Sequence, residues 1–203
     1  MADFNKSYEL LQEWENRKTA GGWIVYSNHI ADSGGETVFG VARVKNPHLA
    51  MWREVDLIKQ QLDKEYKAEC KNYSVGSREY ALKISQELMK RQSIRSECRN
   101  FYYAEYWLKM KCDIVANDDF ATNLFLLGVN AGTKRAIRVG QEACGIIADG
   151  IIGKNTVQAW RLAEKQQVLK FTSIEIDYYH SLAKKNPKNK VFLEGWLNRA
   201  RAI

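Results

Sequence analysis

The chain has 203 residues, 45% of them hydrophobic and 27% charged, enough for one compact domain with a sizeable core or for two small ones sharing an interface. It carries 31 Lys and Arg against 24 Asp and Glu, a formal charge of +7 that favours anionic partners such as nucleic acid, acidic membrane surfaces or bacterial wall polymers. With only 2 prolines and no Ser-rich tract a long flexible linker is excluded, and no apolar run approaches the roughly 20 residues of a membrane helix.

The start, Met1 to Leu11, lacks a basic region followed by an apolar core, so synthesis in the cytoplasm without a signal peptide is expected. Phe4 to about Lys18 reads as a helix, because Phe4, Tyr8, Leu11 and either Trp14 or Glu15 recur on one face. Gly21-Gly22 breaks it. Trp23 to Val44 is the one β-prone stretch, with strand formers on either side of the turn cluster Asp32 to Gly35. After Pro47 the pattern is helical: His48 to Lys67, Ser77 to Arg91, Glu97 to Met110, and the strongly apolar Asn117 to Val129, which predicts a buried central helix. Gly132 to Ala143 follows, then a tight loop at Asp149-Gly150 and Gly153, then a helix over Asn155 to Gln166. Thr172 or Ser173 is the expected cap of a further helix to Lys185. Pro187 interrupts, and Asn189 to Ala202 closes the chain as an amphipathic helix. The predicted class is α+β, predominantly α-helical, with a small β-hairpin near residues 23–44.

Cys70, Cys98, Cys112 and Cys144 form no CxxC pair, and His29, His48 and His180 lie far from them. Four reduced thiols are expected, with no metal site and no cofactor. No helix-turn-helix, RNA-motif aromatic pair or zinc spacing accompanies the charge, so nucleic acid is not the expected partner.

One constellation carries chemistry: Glu15 at the end of an apolar helix face, Gly21-Gly22-Trp23, and Gly34-Gly35-Glu36-Thr37. A glycosidase needs a carboxyl in a partly apolar wall, where its proton is held near neutral pH. Trp14 and Trp23 are candidates for that wall. Glu36, Asp32 and Thr37 are candidates for the opposite side, as a second carboxylate or to position water. The run Phe4, Lys6-Ser7-Tyr8, Glu15, Gly21-Gly22-Trp23, Gly34-Gly35-Glu36-Thr37 and Gly40-Val41-Ala42-Arg43 resembles glycoside hydrolase family 108. The resemblance implies a lysozyme-like fold, cleavage of the peptidoglycan glycan strand next to N-acetylmuramic acid, and Glu15 as the catalytic acid. The sequence departs from the family pattern at Asn16 to Ala20, five residues that separate Glu15 from Gly21-Gly22.

A second constellation runs from Gly128-Val129-Asn130-Ala131-Gly132 through Gln141 to Gly145–Trp160. Read physically, it is a helix stop, a second helix and a tight Asp-Gly turn, and Asp149 and the glycines are expected to be structural. As a sequence it is similar, at Asn130, Gly132, Asp149, Gly153 and Thr156, to the peptidoglycan-binding modules that accompany the family. Leu126 stands where relatives often have Asp. Tyr178-Tyr179, Pro187 and Phe192 to Arg199 resemble the family's closing helices. The implied organisation is a lysozyme-like catalytic region over 1–95 and a helical peptidoglycan-binding region over 96–203 packed tightly against it.

Sugar rings stack on aromatic faces. Trp23, Tyr103 and Trp107, with Asp32 and Asn130, are the candidate substrate contacts. The expected protein is a monomeric peptidoglycan hydrolase that acts on the cell wall after non-classical release. The alternative is a non-catalytic wall-binding or structural protein of the same fold, to which the Asn16–Ala20 insertion and Leu126 point.

Overall fold

A computed structural model describes residues 2–20, 22–28, 35–69 and 77–203. It divides into two compact units, Tyr8–Tyr102 in one, and Met1–Ser7 with Tyr103–Ile203 in the other.

The first unit takes most of α1 (Phe4–Glu15), two small antiparallel sheets and three further helices. Strands β1 (Arg17–Thr19) and β2 (Gly22–Ile24) pair as a hairpin, with Lys18 opposite Trp23. Strands β3 (Tyr26–Asn28), β4 (Glu36–Val38) and β5 (Val41–Ala42) form a three-stranded meander. The extended region is thus wider than the expected 23–44 hairpin and begins at Arg17. The first helix ends at Glu15, three residues before its expected stop, because Arg17 to Thr19 gain ladder hydrogen bonds from β2.

Helix α2 (Met51–Glu69) buries Met51, Val55, Ile58 and Leu62, the i, i+4, i+7, i+11 stripe of an amphipathic helix. Helix α3 (Arg78–Lys90) starts on Ser77, whose hydroxyl accepts from the Tyr80 amide at 3.1 Å, and buries Tyr80, Ile84 and Leu88. Its Ser85 hydroxyl accepts from the amides of Val25 and Tyr26 at 3.0 and 3.1 Å and fastens the β2–β3 junction to this helix. Helix α4 (Gln92–Tyr102) completes the unit.

In the second unit a π-helical segment, Tyr103–Leu108, precedes α5 (Asp118–Ala131). Asn117 caps α5 at the Phe120 amide, and Phe120, Leu124, Phe125 and Leu127 are buried around it, as its apolar composition predicts. Gly132, at φ 91°, separates α5 from α6 (Thr133–Ala143). Helix α7 (Lys154–Arg161) is shorter than expected. Helix α8 (Lys165–Lys185) begins earlier than expected, on Glu164, whose side chain and that of Gln167 form a capping box. Thr172 and Ser173 are therefore interior residues of α8, not its cap. Helix α9 (Lys190–Ala200) closes the chain. The class is α+β and predominantly helical. Cys98, Cys112 and Cys144 are free thiols, and Cys70 lies outside the described residues. No helix among the described residues is long and apolar enough to cross a membrane.

Candidate active site

Val38 and Val41 are paired, so Phe39 and Gly40 form a two-residue β4–β5 turn. Both have positive φ, 49° and 79°, as the tight hairpin turn of this length requires. Phe39 is bulky and ill suited to that region. It is held by a 2.8 Å bond from its amide to the Val25 carbonyl, a 3.2 Å bond from the Tyr102 hydroxyl to its own carbonyl, and burial of its ring.

Glu15 ends α1 against this turn. A Cβ placed on Gly40 would stand 3.3 Å from the Glu15 Oε2 atom and 2.6 Å from the Tyr102 hydroxyl. Glycine is thus required twice over, by its φ and by the carboxylate and phenol crowded onto its Cα. Glu15 is an exposed residue whose carboxylate touches the turn. The Tyr8 ring lies 5.8 Å from that of Tyr102. Burial raises the Tyr8 hydroxyl above the ordinary phenol range, with nearby Cys98 adding to the effect, so it stays protonated. The sequence marks Tyr8 on the apolar face of α1 and in the family run but not as a site residue, and it does not mark Tyr102. Tyr102 stood in an aromatic run, Phe101 to Trp107, in which nothing marked it apart.

Glu36 is only 8% exposed. One oxygen accepts from Lys59 at 2.6 Å and from the Tyr26 hydroxyl at 2.9 Å, and the other from Arg43 at 2.7 Å. Burial alone pushes this carboxyl up, but the bonds from Lys59, Arg43 and Tyr26 outweigh it and hold Glu36 below its ordinary range. Arg43 also clasps Asp56 with two 2.7 Å bonds. Thr37 is half-buried, and its hydroxyl has no partner among the described residues. Successive strand residues point to opposite faces, so Glu36 and Thr37 lie on different sides of β4. Glu36 faces the cations and Thr37 the other side.

The remaining candidates separate. Trp23 is half-buried with the Lys18 ammonium 5.7 Å from its ring. Asp32 lies outside the described residues. In the other unit, Trp107 is 1% exposed and packs on Phe4 and Phe125 at 5.4 and 5.8 Å. It is a core residue, and the helical spacing that made it a substrate candidate was the spacing of a buried stripe. Tyr103 is half-buried on Phe4 at 5.0 Å. The amide of exposed Asn130 donates to the Tyr179 hydroxyl at 2.7 Å, which donates to the buried Glu175 at 3.0 Å. Gln141 organises the Asp149 loop: its amide nitrogen donates to Asp149, the Ile151 carbonyl and Thr156, and its oxygen accepts from the Gly150 amide, all within 3.0 Å. Asp149 and Gly150 (φ 80°) are structural here, as their turn chemistry predicts. Leu126 is buried in α5. Among the described residues no group of His, Cys, Asp and Glu is placed to hold a metal ion.

Residues 16–132 match the family model described as glycosyl hydrolase 108, more than half of the chain. The chain belongs to the glycosyl hydrolase 108 family. Residues 135–201 match a second model, described as a predicted peptidoglycan domain. This member of the glycosyl hydrolase 108 family therefore joins a glycosidase region to a peptidoglycan domain, the composition of a peptidoglycan hydrolase. The family match begins one residue after Glu15. The fold is also similar to that of SagA from Brucella abortus, with a TM-score of 0.60 at 18% identity, covering 97% of this chain and 88% of that one. The fold is lysozyme-like. A comparison with curated proteins finds no match.

Proposed function

We propose that the chain is an N-acetylmuramidase that cuts the peptidoglycan strand next to N-acetylmuramic acid, with Glu15 as general acid. The observation that carries this reading is the seat of the Glu15 carboxylate on Gly40. The end of α1 and the glycine turn after Glu36-Thr37, the two segments of the family motif, meet there despite the residues inserted between them. In this reading Glu15 protonates the glycosidic oxygen as the C–O bond breaks. Water then bonds the anomeric carbon of the oxocarbenium-like state and gives its proton to the Glu15 carboxylate, which restores the acid. Thr37, with an open hydroxyl, orients that water. Glu36, saturated by two cations, anchors β4 to α2 and sets the local field. Trp23 in the first unit, and separately Tyr103 and Asn130 in the second, are each exposed enough to contact peptidoglycan. The protein would act on the cell wall.

A second reading is favoured by the β1–β2 hairpin. It places exposed Ala20, not a carboxyl, directly before Gly21-Gly22. A wall-binding protein without chemistry would tolerate that. Clearing of a suspension of purified walls separates the two. Under the proposal wild type clears it, and Glu15→Gln slows clearing about 10²- to 10⁴-fold, the usual size of general acid help. Wild type that pellets with walls and never clears them supports the second reading.

A further inference from the structure

Beside the strand that carries Glu36 lies a groove of about 520 Å³, walled by Arg43, Leu49, Trp52, Arg53, Asp56 and Leu57. This volume is within the range of small-molecule sites. From this groove we infer a subsite for the anionic peptide that peptidoglycan carries on its muramic acid. The inference rests on the muramidase reading and names a second recognition element for the same substrate.

The lining decides between sugar and peptide. Sugar stacking needs an open aromatic face. The Trp52 ring is buried, its indole nitrogen donates to the Asn46 carbonyl at 2.6 Å, and the Arg43 guanidinium covers it at 5.3 Å. The groove offers instead an aliphatic wall, with Leu57 58% exposed, and hydrogen-bonding groups at its edge. Short peptides with small aliphatic side chains suit such a wall.

Charge gives the sign of the ligand. The Asp56 carboxylate is cancelled by the two bonds from Arg43, and Arg43 is in turn shared with Glu36. Arg53 is exposed, and its guanidinium has no acceptor among the described residues. The net open charge of the lining is thus a cation able to grip a carboxylate with two parallel bonds. Arg53, Leu57 and Gln60 follow i, i+4, i+7 along α2, so cation, apolar wall and amide line up on one face, as a short extended peptide requires.

Distance fits as well. Gly40, on which Glu15 sits, is three residues from Arg43, at most about 11 Å along the backbone. A muramic acid at the scissile bond would hold its peptide within a few residues' reach of the groove.

The test uses the full chain and two substrates: purified peptidoglycan strands with their peptides, and the same strands stripped by an amidase. Arg53→Ala should lower the rate on peptide-bearing strands about fivefold more than on stripped strands, the size of one solvent-accessible charged contact. Arg53→Glu should widen the gap, and Lys64→Ala, on the same helix outside the groove, should leave both rates alone. Equal losses on both substrates, or none on either, overturn the subsite. If wild type cuts neither substrate, the muramidase reading fails instead. The subsite is then read directly, by titrating the free peptide into the protein and following amide resonances. Shifts centred on Arg53 and Leu57, absent in Arg53→Glu, support it. Shifts elsewhere or none overturn it.

Discussion

The two glycine-bearing motifs of the molecule use similar residues to opposite ends. In the loop after α6, the polar groups that the motif brings together satisfy one another. Gln141 alone bonds Asp149, Gly150, Ile151 and Thr156. Such a loop is a strut. In the turn after β4 the backbone is likewise tied down, by Val25 and Tyr102, but the motif's carboxylate, Glu15, comes from a separate element, the end of α1, and rests on Gly40. The difference teaches that a family motif marks a shape, and that what its polar groups can do depends on which elements bring them together.

The sharpest way to break the comparison is at Gly40. Gly40→Val puts carbon into the Tyr102 hydroxyl and the Glu15 carboxylate and adds positive-φ strain of about 1–3 kcal/mol. Wall-clearing activity should fall at least about 100-fold, since a displacement near 1 Å at a catalytic group costs that much. Retention of activity in Gly40→Val would show that the seat of Glu15 has no role.

The strut should respond in stability. Gln141→Leu keeps the volume and strands the Gly150 amide, while the Thr156 hydroxyl keeps its bond to the Ile151 carbonyl, a loss of about 1–3 kcal/mol by denaturant titration. Binding of walls by the remaining folded protein should persist. A stable variant that has lost wall binding would move Gln141 from strut to site.

Glu175 sharpens the comparison through pH. Burial pushes its carboxyl up to about 7, against which the Tyr179 hydrogen bond works. Because the folded form holds the proton more tightly than the unfolded chain, its contribution is fully present below the ordinary carboxylate range and is lost as pH rises to about 7. Stability should fall by a few kcal/mol across that window, since each tenfold difference in proton affinity between the folded and unfolded chain amounts to about 1.4 kcal/mol. Glu175→Gln should flatten the fall. Glu36 acts in the reverse sense. Burial opposes its ionisation, but its cation partners hold its carboxyl low, so its contribution is present at neutral pH and disappears only in acid.

The smallest effect is expected at Thr37. Thr37→Val keeps the strand and removes the open hydroxyl. Activity should fall about tenfold with no change in melting temperature, the size of one modest hydrogen bond.

Much of the fold was legible. Amphipathic stripes placed α2, α3, α5 and α6 within a few residues, and Ser77 and Asn117 mark starts that the structure confirms as caps. What was illegible depends on partners distant in sequence. Arg17-Lys18-Thr19 carries no apolar alternation and is a strand only because β2 lies beside it. The break between α7 and α8 rests on Glu164 acting as a cap, a residue less usual there than Ser or Asp. At the candidate site, the sequence put Glu15 at a helix end near a glycine turn, but not which glycine. Gly40 receives its carboxylate, and Tyr102 joins from far along the chain. Glu36 was legible as a carboxylate, but its three partners were not, and they change what it can do.

The central claim is that Glu15 protonates the bond next to N-acetylmuramic acid. Purified strands are digested with wild type and with Glu15→Gln, new reducing ends are reduced with borohydride, and the resulting sugar alcohols are separated by mass. The account predicts N-acetylmuramitol from wild type and at least about 100-fold less from the variant. Equal yields from both, or ends that reduce to N-acetylglucosaminitol, would contradict it.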